Sequence, residues 1–246
     1  MKGLILAGGK GTRLLPATKV INKHMVPILN KPMIMYPLNT LKSIGITNIM
    51  IVSGGGHIGG IAEFLGDGAD FGVNLTYRVQ REAGGIGQAL GLAKDFVGND
   101  SVAVILGDNI FGDISYIKIP EGVGTEGAYF LFSKVKDSRR FGVPVFEKST
   151  GLLDLIRIDE KPENPQNDFA VTGFYIYPPD VFSVVETLKP SARGEMEITD
   201  VNNFYINKKK CAYSFFDGFW SDSGTVESLM EVTNWAYNLQ NKDTVS

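Results

Sequence analysis

The amino-acid sequence predicts an α/β fold: a mostly parallel sheet flanked by helices, with a β-rich insertion in the second half. Three observations lead there. Short apolar runs recur early in the chain and are nearly continuous, as in strands buried on both faces of a parallel sheet. Segments with helical apolar spacing lie between them, and such alternation closes into a sheet through right-handed crossovers. Later the alternation gives way to neighbouring strand-like runs joined by turn-forming residues.

Taken in order, residues 3–7 (GLILA), 48–53 (NIMIVS), 74–80 (NLTYRVQ) and 102–106 (VAVIL) are the expected strands of the first half. Helices are expected over 33–44, 58–65 and 87–96. On the first, Ile34, Leu38 and Leu41 keep i, i+4, i+7 spacing. Pro37 fits there because an N–H in the first turn has no helical partner to lose. Strands over 143–147 and 152–160 flank the turn-rich tetrapeptide 148–151 and predict a hairpin. A strand over 170–177 stops at Pro178-Pro179, helices follow at 180–188 and 198–208, and a strand returns at 212–216. The closing helix is expected to bury a face made of Val226, Leu229, Met230, Thr233, Ala236 and Tyr237. No repeat or linker interrupts the chain, so residues 1–246 are expected to form one domain.

Composition narrows the function classes. Hydrophobic residues at 43% and charged residues at 21% describe a folding chain rather than a disordered one. The formal net charge of −3 lacks the basic excess that a general nucleic-acid binder uses to displace counterions. One cysteine, Cys211, cannot close an intrachain disulfide, and with His24 and His57 it cannot fill a four-ligand zinc site. No apolar run approaches the roughly 20 residues of a membrane helix, and the start lacks a signal-peptide core. These features predict a cytoplasmic protein with neither a nucleic-acid nor a membrane partner.

The first strand runs directly into Gly8-Gly9-Lys10-Gly11-Thr12-Arg13. Leu14 stands where the dinucleotide fingerprint needs its third glycine, and no Gly-Lys-Ser/Thr ends the run as in a P-loop. What remains is a series of backbone N–H groups beside a guanidinium, a combination that suits phosphate oxygens. A plain tight turn is the alternative. Asp108 follows the apolar run 102–106, and acids at the carboxyl ends of parallel strands face the usual ligand crevice. By local pattern alone, Asp108 could equally cap a helix and Asp222 close an Asx turn.

Several motifs together resemble the sugar-1-phosphate nucleotidyltransferases, nearest to their thymidylyl branch. They are GGKGTRL at 8–14, Lys23 before Met25-Val26-Pro27, and Lys31-Pro32-Met33-Ile34 with Tyr36-Pro37-Leu38. LGDG at 65–68, LGDN at 106–109, EKP at 160–162, AVTG at 170–173, RGE at 193–195 and DSGT at 222–225 continue the likeness along the whole chain. The resemblance implies a Rossmann-like sheet whose β-rich insertion binds the sugar. It also implies transfer of a nucleotidyl group from dTTP to glucose 1-phosphate, giving dTDP-glucose and pyrophosphate. Two alternatives stay open: a UTP-using uridylyltransferase, and an inactive sugar-nucleotide-binding regulatory protein. Arg81-Glu82-Ala83 replaces the Pro-Ser-Pro run usual in the thymidylyl branch, and LPATK at 15–19 is similar to the uridylyltransferases.

Residue roles follow from the same resemblance. Arg13 and Lys23 are the implied catalytic cations. Gly8, Gly9, Gly11, Thr12, Gln80, Gly85 and Gln88 would hold the nucleotide, with the Gln80 amide matching the O4 and N3–H edge of the base. Asn109, Gly142, Glu160, Lys161, Val171 and Arg193 would hold the sugar phosphate, and Asp108 and Asp222 would hold Mg²⁺. A homo-oligomer is the family default. Relatives of the thymidylyl type that continue with further C-terminal helices form a separate effector site there. The present sequence ends at Ser246, which gives the expectation of an enzyme without that control.

Overall fold

Along β1 (Lys2–Ala7), Leu4 and Leu6 point to one face and Ile5 and Ala7 to the other, and all four are buried. Period-two alternation with apolar residues on both faces is what a central strand between two helical layers requires. The computed structural model describes residues 1–56, 58–149 and 152–243. After β1 come three short 3₁₀ turns and a ribbon of β2 (Pro27–Ile28) with β3 (Lys31–Pro32), then α1 (Met35–Ser43). The alternation continues through β4 (Asn48–Gly54), α2 (Ile58–Leu65), β5 (Asn74–Gln80), α3 (Gly85–Gly91), α4 (Lys94–Val97) and β6 (Val102–Leu106). The second half adds β7 (Ile110–Phe111), β8 (Ala128–Lys134), β9 (Gly142–Ser149), β10 (Leu152–Glu160) and β11 (Phe169–Tyr177). It ends with α5 (Val181–Thr187), α6 (Ile198–Asn207), β12 (Cys211–Phe216), β13 (Trp220–Ser221) and α7 (Val226–Asp243).

Seven strands form the main sheet in the order β12-β8-β11-β6-β1-β4-β5. The strands β6, β1, β4 and β5 are mutually parallel, so their carboxyl ends share one edge of the sheet. β11 runs antiparallel between β6 and β8, and β12 pairs parallel with β8. Helices α3, α5 and α6 cover the face of Leu4 and Leu6, while α1 and α2 cover that of Ile5 and Ala7. The two-stranded β9–β10 hairpin pairs Glu160 with Gly142 and stands outside this sheet, packed by α6.

Most expected elements are present with shifted ends, and three differ. The run 128–134 received no strand from periodicity, yet β8 is an interior strand whose first six residues are buried. The expected helix 87–96 is two pieces, α3 and α4, parted at Leu92-Ala93. α7 is rotated from its expected face: Val226, Met230 and Tyr237 are exposed, whereas Val232 and Ala236 are buried beside Leu229 and Trp235. Two contacts set that rotation. Thr225 and Ser228 exchange backbone-to-hydroxyl bonds across the first turn, and Trp235 stacks on Phe219 at 4.4 Å between ring centres. His57, just before the expected helix 58–65, and the hairpin-turn residues 150–151 lie outside the described residues. Among the described residues, no helix is long and apolar enough to cross a membrane.

Candidate active site

The glycine loop leaves β1 at the shared carboxyl edge and turns at Gly11, whose φ of +65° favours glycine. A Cβ on Gly11 would lie 2.9 Å from both Lys23 Cβ and Thr18 Cγ2, so the loop closes directly onto Lys23. Lys23 sits in a 3₁₀ turn started by Asn22, whose side-chain oxygen accepts from the His24 N–H at 2.7 Å. Its side chain is only 7% exposed and its ammonium pairs with the Asp108 carboxylate. Asp108 lies in the turn after β6 rather than on a helix, which disposes of the capping alternative. Burial alone raises the pKa of Asp108. The Lys23 ammonium, His24 and hydrogen bonds from Lys23 and Asn109 outweigh that and hold the carboxyl below its ordinary value.

One wall of the cleft is lined by Gly8, Gly9, Lys10, Gly11, Thr12, Arg13, Lys23, His24, Gln80, Gly85 and Asp108. Gln80 closes β5, and a Cβ on Gly8 would approach its Oε1 to 2.5 Å. Gln88 stands behind it rather than on this wall. Its Oε1 accepts from Gln80 Nε2 at 2.8 Å and from the Gly84 N–H at 3.1 Å, and Gly85 O accepts from the same Gln80 nitrogen at 3.3 Å. The Gln80 donor is therefore engaged within the protein, which leaves the amide acceptor rather than both polar atoms for a ligand in the cleft. The segment also binds across the cleft: Met196 N–H donates to Gly84 O at 2.8 Å and Gly87 N–H donates to Met196 O at 2.9 Å.

The adjoining wall brings together all six expected sugar-side residues, Asn109, Gly142, Glu160, Lys161, Val171 and Arg193, with Asp222. Arg13 and Asp108 border both walls, so the two halves form one continuous cleft. Asn109 is 2% exposed; its Oδ1 accepts from Trp220 Nε1 and Gly173 N–H, each at 2.8 Å, and its Nδ2 donates to Asp108 Oδ1 at 2.9 Å. It thus holds Asp108 in place. Glu160 accepts from Arg193 at 3.1 Å, from Lys161 at 3.2 Å and from Thr199 Oγ1 at 2.6 Å. Burial pushes its pKa up, but Thr199, Lys161 and Arg193 together bring it below the ordinary value. Lys161 has φ of +46°, an unfavourable left-handed conformation costing about 1–2 kcal/mol, and its N–H donates to Phe141 O at 3.0 Å.

Arg140 and Glu197 belong to this wall and received no role from the sequence. Arg140 Nη2 lies 3.0 Å from Asp222 Oδ2, and Glu197 binds Arg193 through both carboxylate oxygens at 3.2 and 2.9 Å. Nothing in the spacing separates Arg140 from Arg139. The 3₁₀ turn Ser138–Arg140 does so, giving Arg139 to Asp137 and Arg140 to Asp222. On the opposite side of the Asp222 turn, a Cβ on Gly224 would meet Arg13 Nη2 at 2.8 Å.

The donor chemistry fits a hard divalent cation. Asp108 and Asp222 present oxygen ligands to the same cleft, each now facing a protein cation. Among the described residues no cluster of three or more histidine, cysteine or acidic side chains forms. A metal held by two carboxylates would draw its other ligands from phosphate oxygens and water, which is the habit of Mg²⁺.

Comparison with known proteins gives the family of the chain. The family profile described as nucleotidyl transferase matches residues 2–238. A glucose-1-phosphate thymidylyltransferase of Neisseria meningitidis is 40% identical over 245 residues, covering 98% of this chain and 84% of the relative. One from Mycobacterium tuberculosis is 39% identical, with the same coverage of each chain. A crystal structure from Bacillus anthracis, described as a glucose-1-phosphate thymidylyltransferase in complex with sucrose, superposes with a TM-score of 0.86 at 48% identity, covering 96% of this chain and 95% of the other. A UDP-glucose pyrophosphorylase complexed with UDP-glucose superposes with a TM-score of 0.83 at 27% identity, covering 96% and 98%. With its parallel edge, its glycine loop and a match over nearly its full length, this chain belongs to the nucleotidyl transferase family.

Proposed function

We propose that this chain transfers a thymidylyl group from dTTP to glucose 1-phosphate, giving dTDP-glucose and pyrophosphate, and accepts UTP as a second nucleotide. The observation that carries the reading is the continuous cleft, with Gln80 and the glycine loop at one end and Glu160, Lys161 and Arg193 at the other. The names of the thymidylyltransferase relatives support the same choice of substrates. In this reading residues 1–246 serve as one catalytic domain in the cytoplasm, where nucleoside triphosphates and sugar phosphates occur together.

A phosphate oxygen of the sugar attacks the α-phosphorus, the new P–O bond forms, and the bond to the β-phosphate oxygen breaks to release pyrophosphate. The attacking oxygen is ionised at neutral pH, so catalysis consists of bringing anions together and neutralising their charge. Backbone N–H groups of Gly8, Gly9, Gly11 and Thr12 receive the triphosphate, and Arg13 neutralises the leaving pyrophosphate. Lys23 is held beside the reacting phosphates by Asp108. Lys161 and Arg193 take the sugar phosphate, while Glu160 accepts from sugar hydroxyls and Gly142 and Val171 shape the ring pocket. Mg²⁺ on Asp108 and Asp222 would withdraw charge from the phosphate oxygens.

Pyrophosphate release measured with glucose 1-phosphate and each of dTTP, UTP, CTP and GTP tests the proposal. Fastest release with dTTP is expected. A clear preference for UTP replaces it with the uridylyl reading, favoured to that extent by the UDP-glucose pyrophosphorylase likeness. Release with none, alongside tight binding of sugar nucleotides, replaces it with the inactive regulatory reading.

A further inference from the structure

Between β5 and α3 runs a chain of amide contacts whose direction is fixed. Gly84 turns its N–H toward Glu82 O at 2.9 Å and toward the Gln88 side chain at 3.1 Å, and since a nitrogen of Gln88 there would set donor against donor, the side-chain atom that shares this N–H is the oxygen. That same oxygen faces the Gln80 amide at 2.8 Å, so the Gln80 atom there must be the nitrogen. The second hydrogen of Gln80 Nε2 is directed to Gly85 O at 3.3 Å. Reversing Gln88 would set N–H against N–H, and reversing Gln80 would set oxygen against oxygen. The remaining polar atom, Gln80 Oε1, is turned toward Gly8 and the cleft.

Resting on the reading of Gln80 as the residue that meets the base, we propose that Gln88 is a positioning residue that sets nucleotide specificity by holding the Gln80 amide acceptor-outward. An acceptor alone matches the N3–H shared by thymine and uracil. It opposes the N3 lone pair of cytosine, so the wrong pyrimidine meets a repulsive contact as well as a missing bond. The origin of the choice is the Gly84 peptide, which cannot reverse its donor. Gln88 transmits that choice without touching the ligand.

Titration calorimetry with dTTP and dCTP tests this through the ratio of their dissociation constants. Wild-type protein is expected to bind dTTP more tightly. Gln88→Met removes the nearer of the two acceptors that orient Gln80, leaving only Gly85 O at 3.3 Å, and the ratio is expected to fall by about tenfold or more. Gln88→Glu still presents an oxygen to both donors and is expected to keep the ratio near wild type. A loop that has merely loosened would weaken both nucleotides alike, so an unchanged ratio in Gln88→Met overturns the proposal, as does a collapsed ratio in Gln88→Glu. Gln88→Leu serves the same purpose if the methionine variant fails to reach the wild-type melting temperature. Failure of the base-reading assignment itself is seen in the wild-type arm alone, as equal or absent binding of the two nucleotides.

Discussion

At the end of the cleft proposed to hold the base the contacts are made by uncharged groups, Gln80, Gln88 and the peptides of Gly84 and Gly85. At the end proposed to hold the sugar phosphate they are made by Glu160, Lys161, Arg193 and Glu197, with Arg140 on Asp222 alongside. Neutral amides select by the direction of a donor or an acceptor and are little affected by salt. Paired charges select by sign, remain oriented through their own partners, and respond to ionic strength and pH. Changes at the base end should therefore alter which nucleotide binds, and changes at the sugar end how tightly the phosphate is held.

Where the two ends meet, the distinction should vanish. Asp108→Asn takes the counter-charge from Lys23 and an oxygen ligand from the proposed metal site, so turnover should fall about a hundredfold or more with either nucleotide. Steady-state pyrophosphate release measures this, and near-normal rates would remove Asp108 from the reaction centre. Next in size, Arg193→Ala should raise KM for glucose 1-phosphate by about 10- to 100-fold while leaving dTTP affinity almost unchanged, since it deletes charged contacts at one end only. Equal losses for both substrates would blur the two ends into one.

A smaller and more selective effect is expected at the base end. Gly8→Ala places a Cβ 2.5 Å from Gln80 Oε1 and must push that amide aside, whereas Gly59→Ala on α2, away from the cleft, meets nothing within 4 Å. Nucleotide titrations should show dTTP binding weakened about five- to tenfold in the first variant and little changed in the second. The smallest effect concerns acid stability. Glu160 ionises below its ordinary value of 4.5, so on acidification the unfolded chain takes up this proton before the native state does. Its stabilising contribution is complete above that value and is lost as pH falls through the lower folded-state pKa. The melting-temperature gap between wild type and Glu160→Gln should therefore be widest near neutrality and narrow in acid; a gap independent of pH would show that packing, not charge, makes the difference.

The same two regions differ in how far the sequence discloses them. The glycine loop follows β1 without interruption, so local pattern suffices to place it at the carboxyl edge, and Gln80, singled out by resemblance, falls at the end of an expected strand. The sugar wall draws on residues 109, 142, 160, 171, 193 and 222, which come from separate elements, and resemblance rather than periodicity identified them. Arg140 escaped because its neighbour Arg139 has the same chemistry and only the 3₁₀ turn tells them apart. β8 escaped for a similar reason: its parallel partner β12 lies far along the chain, and an aromatic apolar run without a crossover helix gives no local sign of strand pairing. In α7, apolar residues occupy more than one face, so the stacking of Trp235 on Phe219 decides which is buried.

The paired peptide bonds between Met196 and Gly84–Gly87 tie the segment that carries Arg193 and Glu197 to the segment that places Gln80 and Gln88. A peptide ladder of this kind transmits order, because a nucleotide that stills the base segment also reduces the conformational freedom that Arg193 must give up. Any coupling carried by this ladder is reciprocal by thermodynamic necessity: a factor by which dTTP improves the affinity for glucose 1-phosphate is the factor by which glucose 1-phosphate improves that for dTTP.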